Sequence, residues 1–155
     1  MPAVFVKGDI FATDGLSAYA HGCNCAGAMG AGIAIEFKRR WPAMFEEYAV
    51  RCAEGRFGLG DVFVWTEGST TIYNLGTQAH WRKKAQLPAL AKSLRKMVEL
   101  ATHAGIERIG VPRIGAGLGG LDWTRVKRIL TEVGGETQVT LSVFEQFVRA
   151  KPAVV

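Results

Sequence analysis

The sequence predicts an α/β domain in three layers, α/β/α, with helices on both faces of a mixed sheet of about six strands. Three observations lead there. Short β-rich runs alternate along the chain with segments of helical periodicity, as in layered α/β folds. One pair of runs is joined by a hairpin signal, so the sheet is mixed and not purely parallel. A length of 155 residues with 48% hydrophobic and 21% charged content suits one domain with its own core, and excludes disorder, collagen and coiled coil. Residues 1–148 are read as that domain and 149–155 as a short tail.

In chain order, Val4 to Lys7 is a β-rich run closed by Gly8-Asp9, and Ser17 to Cys23 is a second, closed by a glycine-rich loop. Gly30 to Trp41 reads as a helix, with Lys38, Arg39 and Arg40 in its last turn and Pro42 beyond; Pro42 then opens another carrying Phe45, Tyr48, Ala49 and Cys52. Asp61 to Thr66 and Thr71 to Leu75 flank Glu67-Gly68-Ser69-Thr70, the hairpin. From Leu87 to His103 the residues Leu87, Leu90, Leu94, Met97, Val98 and Ala101 share one helical face, and Gly105 ends that helix. Ile106 to Ile114 is a strand, Asp122 caps a fourth helix running through Val126, Ile129 and Leu130 to Gly134, and Val139 to Phe144 is the last strand.

The net charge of +5 and pI near 9.3 favour anionic partners: a nucleic acid, an acidic protein or a small phosphorylated ligand. No apolar run approaches the ~20 residues of a membrane span, so no membrane partner is expected. The start, MPAVFVKGDIF, lacks the pattern of a signal peptide, and Cys23, Cys25 and Cys52 are an odd number without a C-x-x-C pair. Both features predict a cytoplasmic protein with reduced thiols.

Two segments share one design of strand, glycine-rich loop and helix. They are His21-Gly22-Cys23-Asn24-Cys25-Ala26-Gly27-Ala28-Met29-Gly30-Ala31-Gly32 and Val111-Pro112-Arg113-Ile114-Gly115-Ala116-Gly117-Leu118-Gly119-Gly120. Glycine lets backbone approach a ligand closely, and a following helix start offers N–H groups and a positive dipole end, so each loop is a candidate anion cradle. Two such loops at strand carboxyl ends suit a diphosphate better than a lone phosphate. Gly115, Gly117 and Gly120 also spell G-x-G-x-x-G, but only one strand follows, which excludes a dinucleotide fold; no G-K-[ST] is present either.

Lys7-Gly8-Asp9-Ile10, Asn24 with Gly27-x-x-Gly30-x-Gly32-Ile33-Ala34, and Pro112-Arg113-Ile114-Gly115-x-Gly117-Leu118 resemble the macrodomains, the ADP-ribose-binding α/β/α modules. Within that family the chain is similar to the branch of the terminal ADP-ribose protein glycohydrolase and the DNA ADP-ribosyl glycohydrolase antitoxin. His21-x-Cys23-Asn24-Cys25-x-Gly27 is also similar to the fungal ADP-ribose 1″-phosphatase. The resemblance implies that Asp9 accepts from the adenine amino group beside the Ile10 N–H, that Asn24 binds the distal ribose, and that Phe144 stacks on adenine. Gly27 and Met29-Gly30-Ala31-Gly32-Ile33 would wrap the distal ribose and one phosphate, and Ile114-Gly115-Ala116-Gly117-Leu118 the other. The residues alone equally allow Asp9 as a cap, Asn24 as a loop asparagine and Phe144 as core.

The pattern breaks where the resemblance implies a catalytic lysine and aspartate: Gln78 and Gly119 occupy those positions. Lys83 or Lys84 with Asp122, nearby in sequence, is one alternative, as a displaced pair. A water route is another, with Asn24 and Gln78 fixing ribose and water; His21 is a further catalytic candidate able to exchange protons near neutral pH, or else a hydrogen-bonded structural histidine on a strand face. His21, Cys23 and Cys25 lack a fourth ligand, so no metal is expected, and no cofactor. The implied activity is hydrolysis of ADP-ribose from modified macromolecules, first from acidic protein side chains, with ADP-ribosylated nucleic acid as a further partner. A phosphatase or deacetylase acting on free ADP-ribose derivatives, and a non-catalytic reader, are the rivals.

Overall fold

A computed structural model describes residues 3–148; the tail read at 149–155 lies outside the described residues. Six strands, β1 (Val4–Gly8), β2 (Ala18–Asn24), β3 (Val62–Glu67), β4 (Thr70–Gln78), β5 (Arg108–Val111) and β6 (Thr140–Phe147), form one sheet in the order β1-β6-β5-β2-β4-β3. All neighbours are parallel except β3 and β4, which form the antiparallel hairpin. Four helices, α1 (Ala34–Arg40), α2 (Pro42–Ala53), α3 (Leu87–His103) and α4 (Trp123–Gly135), complete the three layers.

Strand alternation sorts the core. Ala18, Ala20, Tyr73 and Leu75 face Leu90, Leu94 and Met97 of α3 and Val126, Leu130 and Val133 of α4. From the opposite side of the sheet, Cys23, Phe63 and Ile72 meet Phe37 of α1 and Met44 and Tyr48 of α2. Each helix therefore buries one stripe on the sheet, and burying each large apolar side chain contributes roughly 1.5–3 kcal/mol.

Four boundaries differ from the sequence pattern, each for a local reason. The helix expected from Gly30 begins at Ala34, because Gly32 takes φ +60° and breaks the helical path, leaving Gly30 to Ile33 in the loop. The strand expected from Ile106 to Ile114 spans only Arg108–Val111; Pro112 has no N–H to give a ladder, and the Ile114 N–H turns back to the Pro112 carbonyl at 2.7 Å. β4 continues past Leu75 to Gln78, alongside β2. β6 continues past Phe144 to Phe147, alongside Lys7 and Gly8 of β1.

Helix ends follow their residues. Gly105 takes φ +72° after α3, and Asp122 Oδ1 accepts from the Thr124 N–H at 3.0 Å at the start of α4. Asp122 is thus the cap that the sequence pattern predicts. Asp122→Ala is expected to lower stability by about 1 kcal/mol in urea denaturation, and Asp122→Asn by much less, since the amide oxygen keeps the cap.

Candidate functional site

A cleft of about 880 Å³ opens at the carboxyl ends of the parallel strands, between the loop after β2 and the loop after β5. β2 and β5 are neighbours, yet β2 leads to α1 on one face and β5 to α4 on the other. Chains that part in this way leave a crevice above the sheet, the ligand position of open α/β folds.

The first loop is organised by Asn24, which is 8% exposed. Its Oδ1 accepts from the N–H groups of Ala26 (3.0 Å) and Ala28 (3.2 Å), and its Nδ2 donates to the Ala28 carbonyl at 2.8 Å. Tyr48 of α2 adds a hydroxyl 2.7 Å from the Asn24 carbonyl oxygen and 2.9 Å from Oδ1. One amide thus satisfies backbone groups that have no sheet partner, and one Nδ2 hydrogen remains unused.

The glycines divide by surroundings. Gly27, at φ +88°, lies on α2, where a β-carbon would come 3.6 Å from Cys52 Cβ; it shapes the loop and does not line the cleft. Gly30 and Gly117 line the cleft, have ordinary φ, and would point a β-carbon into open space. Neither needs to be glycine for the fold, so their bareness exposes backbone to whatever fills the cleft. Gly119 is closed: a β-carbon there would fall 2.6 Å from the Gly115 carbonyl oxygen, leaving no room for a carboxylate side chain.

Of the residues singled out by sequence, Ile10, Asn24, Met29, Ala31, Gly32, Ile33, Gln78, Ile114, Gly115, Leu118 and Phe144 line the cleft together with Gly30 and Gly117. Asp9 and Ala116 stand beside it, each flanked by lining residues. Asp9 Oδ1 accepts from the Phe11 N–H at 3.0 Å and caps a 3-10 turn at Ile10–Ala12, which leaves its second oxygen for another donor. Gln78 Nε2 donates to the Lys83 carbonyl, holding the β4–α3 loop closed. Lys83 and Lys84 are exposed in that loop, and the Lys84 stem runs past Gly120, whose β-carbon would come 3.5 Å from Lys84 Cγ.

His21 corrects the sequence reading. It is fully buried beneath α1, its ring stacked on Phe37 at 3.9 Å between centroids and 5° between planes, and it does not line the cleft. Asn74 Nδ2 donates to the Phe63 carbonyl at 3.1 Å, so Asn74 Oδ1 is the acceptor for His21 Nε2–H at 2.6 Å. Burial lowers the His21 pKa to about 4, against the opposing pull of the Asn74 hydrogen bond. A neutral imidazole sealed in the core exchanges no proton with a ligand. Of the stretch that resembles the phosphatase, only Gly22, Cys23 and Asn24 reach the cleft, and burial pushes the Cys23 thiol well up, away from thiolate chemistry. Among the described residues, no group of three or more His, Cys, Asp or Glu converges as a metal site.

Sequence reasoning missed Thr77. The β2–β4 register shifts between Cys23↔Gly76 and Asn24↔Gln78, which makes Thr77 the extra residue of a bulge on the rim of the cleft. A second shift, between Val6↔Phe144 and Lys7↔Gln146, makes Glu145 the extra residue of β6, again at the cleft. The available signal was weak: a β-rich run from Ile72 to Leu75 followed by Gly76, which reads as a strand end.

Residues 20–130 match the Macro domain family, and the chain belongs to that family. Two curated relatives and one solved structure give the family its nearer context. The chain is 36% identical over 128 residues to the DNA ADP-ribosyl glycohydrolase of Mycobacterium tuberculosis, a match covering 80% of this chain and 36% of the relative. It is 31% identical over 140 residues to human ADP-ribose glycohydrolase OARD1, covering 90% and 89%. The chain therefore spans about a third of the length of the DNA ADP-ribosyl glycohydrolase and nearly all of the human protein. The macrodomain of Mycobacterium tuberculosis DarG superposes with a TM-score of 0.85 at 32% identity, over 91% of this chain and 95% of that one. Among the described residues, no helix is long and apolar enough to cross a membrane.

The buried histidine gives the fold an acid limb. An unfolded chain takes up a proton near pH 6.5 that folded His21 refuses until about pH 4, so stability falls as the pH drops through that window. The loss from this residue is expected to reach about 3 kcal/mol. Urea midpoints measured from pH 7 to 4 should show it, and His21→Gln, less stable at neutral pH, should flatten that limb.

Proposed function

We propose that this macrodomain binds ADP-ribose and hydrolyses it from modified macromolecules, first from glutamate and aspartate side chains of proteins. The observation that carries the reading is the pair of open glycines, Gly30 and Gly117, presenting bare backbone from two loops to one cleft. A diphosphate needs such backbone N–H groups on both sides. The relatives named as ADP-ribosyl glycohydrolases support the hydrolytic part.

In this reading the free oxygen of Asp9 accepts from the adenine amino group, with the Ile10 N–H beside it, and Phe144 meets the adenine face. Gly30 to Ile33 and Ile114 to Leu118 enclose the phosphates, with Gly27 and Ala116 shaping those loops. The distal ribose lies over Asn24 and Gln78, paired at the ends of β2 and β4. Glutamine forms no covalent sugar adduct, so water attacks C1″ directly. The bond from C1″ to the carboxylate oxygen breaks with its electrons on a good leaving group, and a substrate phosphate oxygen takes the proton of the water. Orientation and fixed dipoles supply the rate.

A second reading, a reader that binds without turnover, is favoured by Gly119, where no side chain fits. The discriminating experiment is a time course with glutamate-linked mono-ADP-ribosylated protein in the presence of a chelator, following free ADP-ribose. Release is expected. Binding of ADP-ribose by calorimetry without release would favour the reader, and absence of binding would overturn both. Gly117→Val is expected to weaken ADP-ribose binding on the order of tenfold or more, at least about 1.4 kcal/mol. Its melting temperature should stay within about 2 °C of the parent, because the β-carbon added there has no protein atom within 4 Å.

A further inference from the structure

The β2–β4 bulge leaves one polar group unexplained by the fold. Thr77 is 2% exposed, yet its hydroxyl has no hydrogen-bond partner among the described residues. Among the described residues every side-chain oxygen closed off from solvent has a partner, so Thr77 Oγ1 keeps a small accessible area, in a residue that lines the cleft. A nearly buried hydroxyl without a protein partner adds little to stability, so a valine in its place should fold as well.

Its position is fixed from three sides. A β-carbon on Gly22 would fall 2.9 Å from Thr77 Oγ1 and 3.2 Å from Ile114 Cγ1, so the hydroxyl lies over bare strand backbone, with the second glycine loop beside it. The bulge inserts Thr77 opposite the Cys23–Asn24 step, next to the Asn24↔Gln78 pair. The Thr77 carbonyl meanwhile accepts from the Gln86 N–H at 2.8 Å, which anchors the backbone. Bulges in parallel pairs are uncommon, and beside active sites they re-aim side chains.

A bound water needs two to four polar partners. Three residues that line the cleft side by side in the β2–β4 register have unused capacity: the Thr77 hydroxyl, the spare Nδ2 hydrogen of Asn24, and Gln78 Oε1, which has no partner among the described residues.

We infer that Thr77 is a catalytic residue whose hydroxyl holds the water that attacks C1″. This rests on the hydrolytic reading above. The water oxygen bonds to C1″ while the C1″–O bond to the carboxylate breaks, its electron pair leaving with the carboxylate. The proton of the water passes to a phosphate oxygen of the bound diphosphate and then to solvent. Thr77 accepts one hydrogen of the water and so orients its lone pair; it neither gains nor loses charge.

The test compares Thr77→Val, which removes only the hydroxyl, with Thr77→Ser, which keeps it. Thr77→Val is expected to lower kcat on the order of 10- to 100-fold, with the Kd for free ADP-ribose changed less than about threefold. Its melting temperature should equal or exceed that of the parent, and Thr77→Ser should retain most of the turnover. Full turnover in Thr77→Val would overturn the proposal. So would lost affinity with kcat intact, which would make the hydroxyl a ribose contact. Equal losses of kcat and melting temperature in both variants would make Thr77 a packing residue. If the parent itself binds ADP-ribose and releases none from modified protein, the hydrolytic reading fails and this role falls with it.

Discussion

The divergence of two adjacent parallel strands is the constraint on which the rest depends. β2 and β5 lie side by side, but one turns to the helix layer carrying Phe37 and Tyr48 and the other to the layer carrying Val126 and Leu130. No connection can cover the sheet edge between them, so the crevice follows from topology before any ligand is considered. Both glycine loops begin there, and both irregularities of strand register, at Thr77 and Glu145, lie at the same end. β2 and β5 themselves share one paired position, Tyr19↔Gly110, so the two strands are already parting below the cleft.

A loop lying over the end of a sheet has backbone groups that no ladder satisfies. Asn24 resolves this by standing in for a strand, with one amide bonded to Ala26 and Ala28, and Tyr48 ties that amide to α2. The residue expected to contact ribose is therefore also the residue that shapes the loop. Affinity and loop geometry share one side chain, which is why the first loop is held by α2 as much as by its own sequence. The second loop solves the same problem with backbone alone: the Leu121 N–H reaches the Gly115 carbonyl at 2.9 Å, and the Ala85 N–H reaches the Gly119 carbonyl at 2.8 Å.

Residue periodicity made the helices and the hairpin legible, because Leu87 to His103 and Asp61 to Leu75 carry their patterns within a few residues. Both glycine loops were legible for the same reason, their meaning resting on composition at short range. Three features lay outside that reach. Burial of His21 depends on Phe37 and Asn74, which are distant in sequence and adjacent only once the sheet has formed. The closed environment of Gly119 depends on a carbonyl of its own loop after that loop has folded back. The role of Thr77 depends on a register shift between two strands, and no property of either strand alone records the register of the pair.

The chemistry of the cleft narrows the linkages it suits. At the Asn24–Gln78 end the polar groups are two amides and a hydroxyl, with Cys23 beside them held as a neutral thiol by burial. The charged lining residues lie toward the other side and are engaged: Arg113 lies over the Trp123 ring at 5.2 Å, and Glu145 accepts from Lys127 at 2.6 Å and Trp123 at 3.1 Å. A floor of this kind orients groups well but offers no acid to protonate a departing atom. An alcohol or an amide nitrogen leaves a sugar slowly without that proton, whereas a carboxylate leaves readily as the anion. That contrast is the chemical ground on which acidic side chains are proposed as the attachment point.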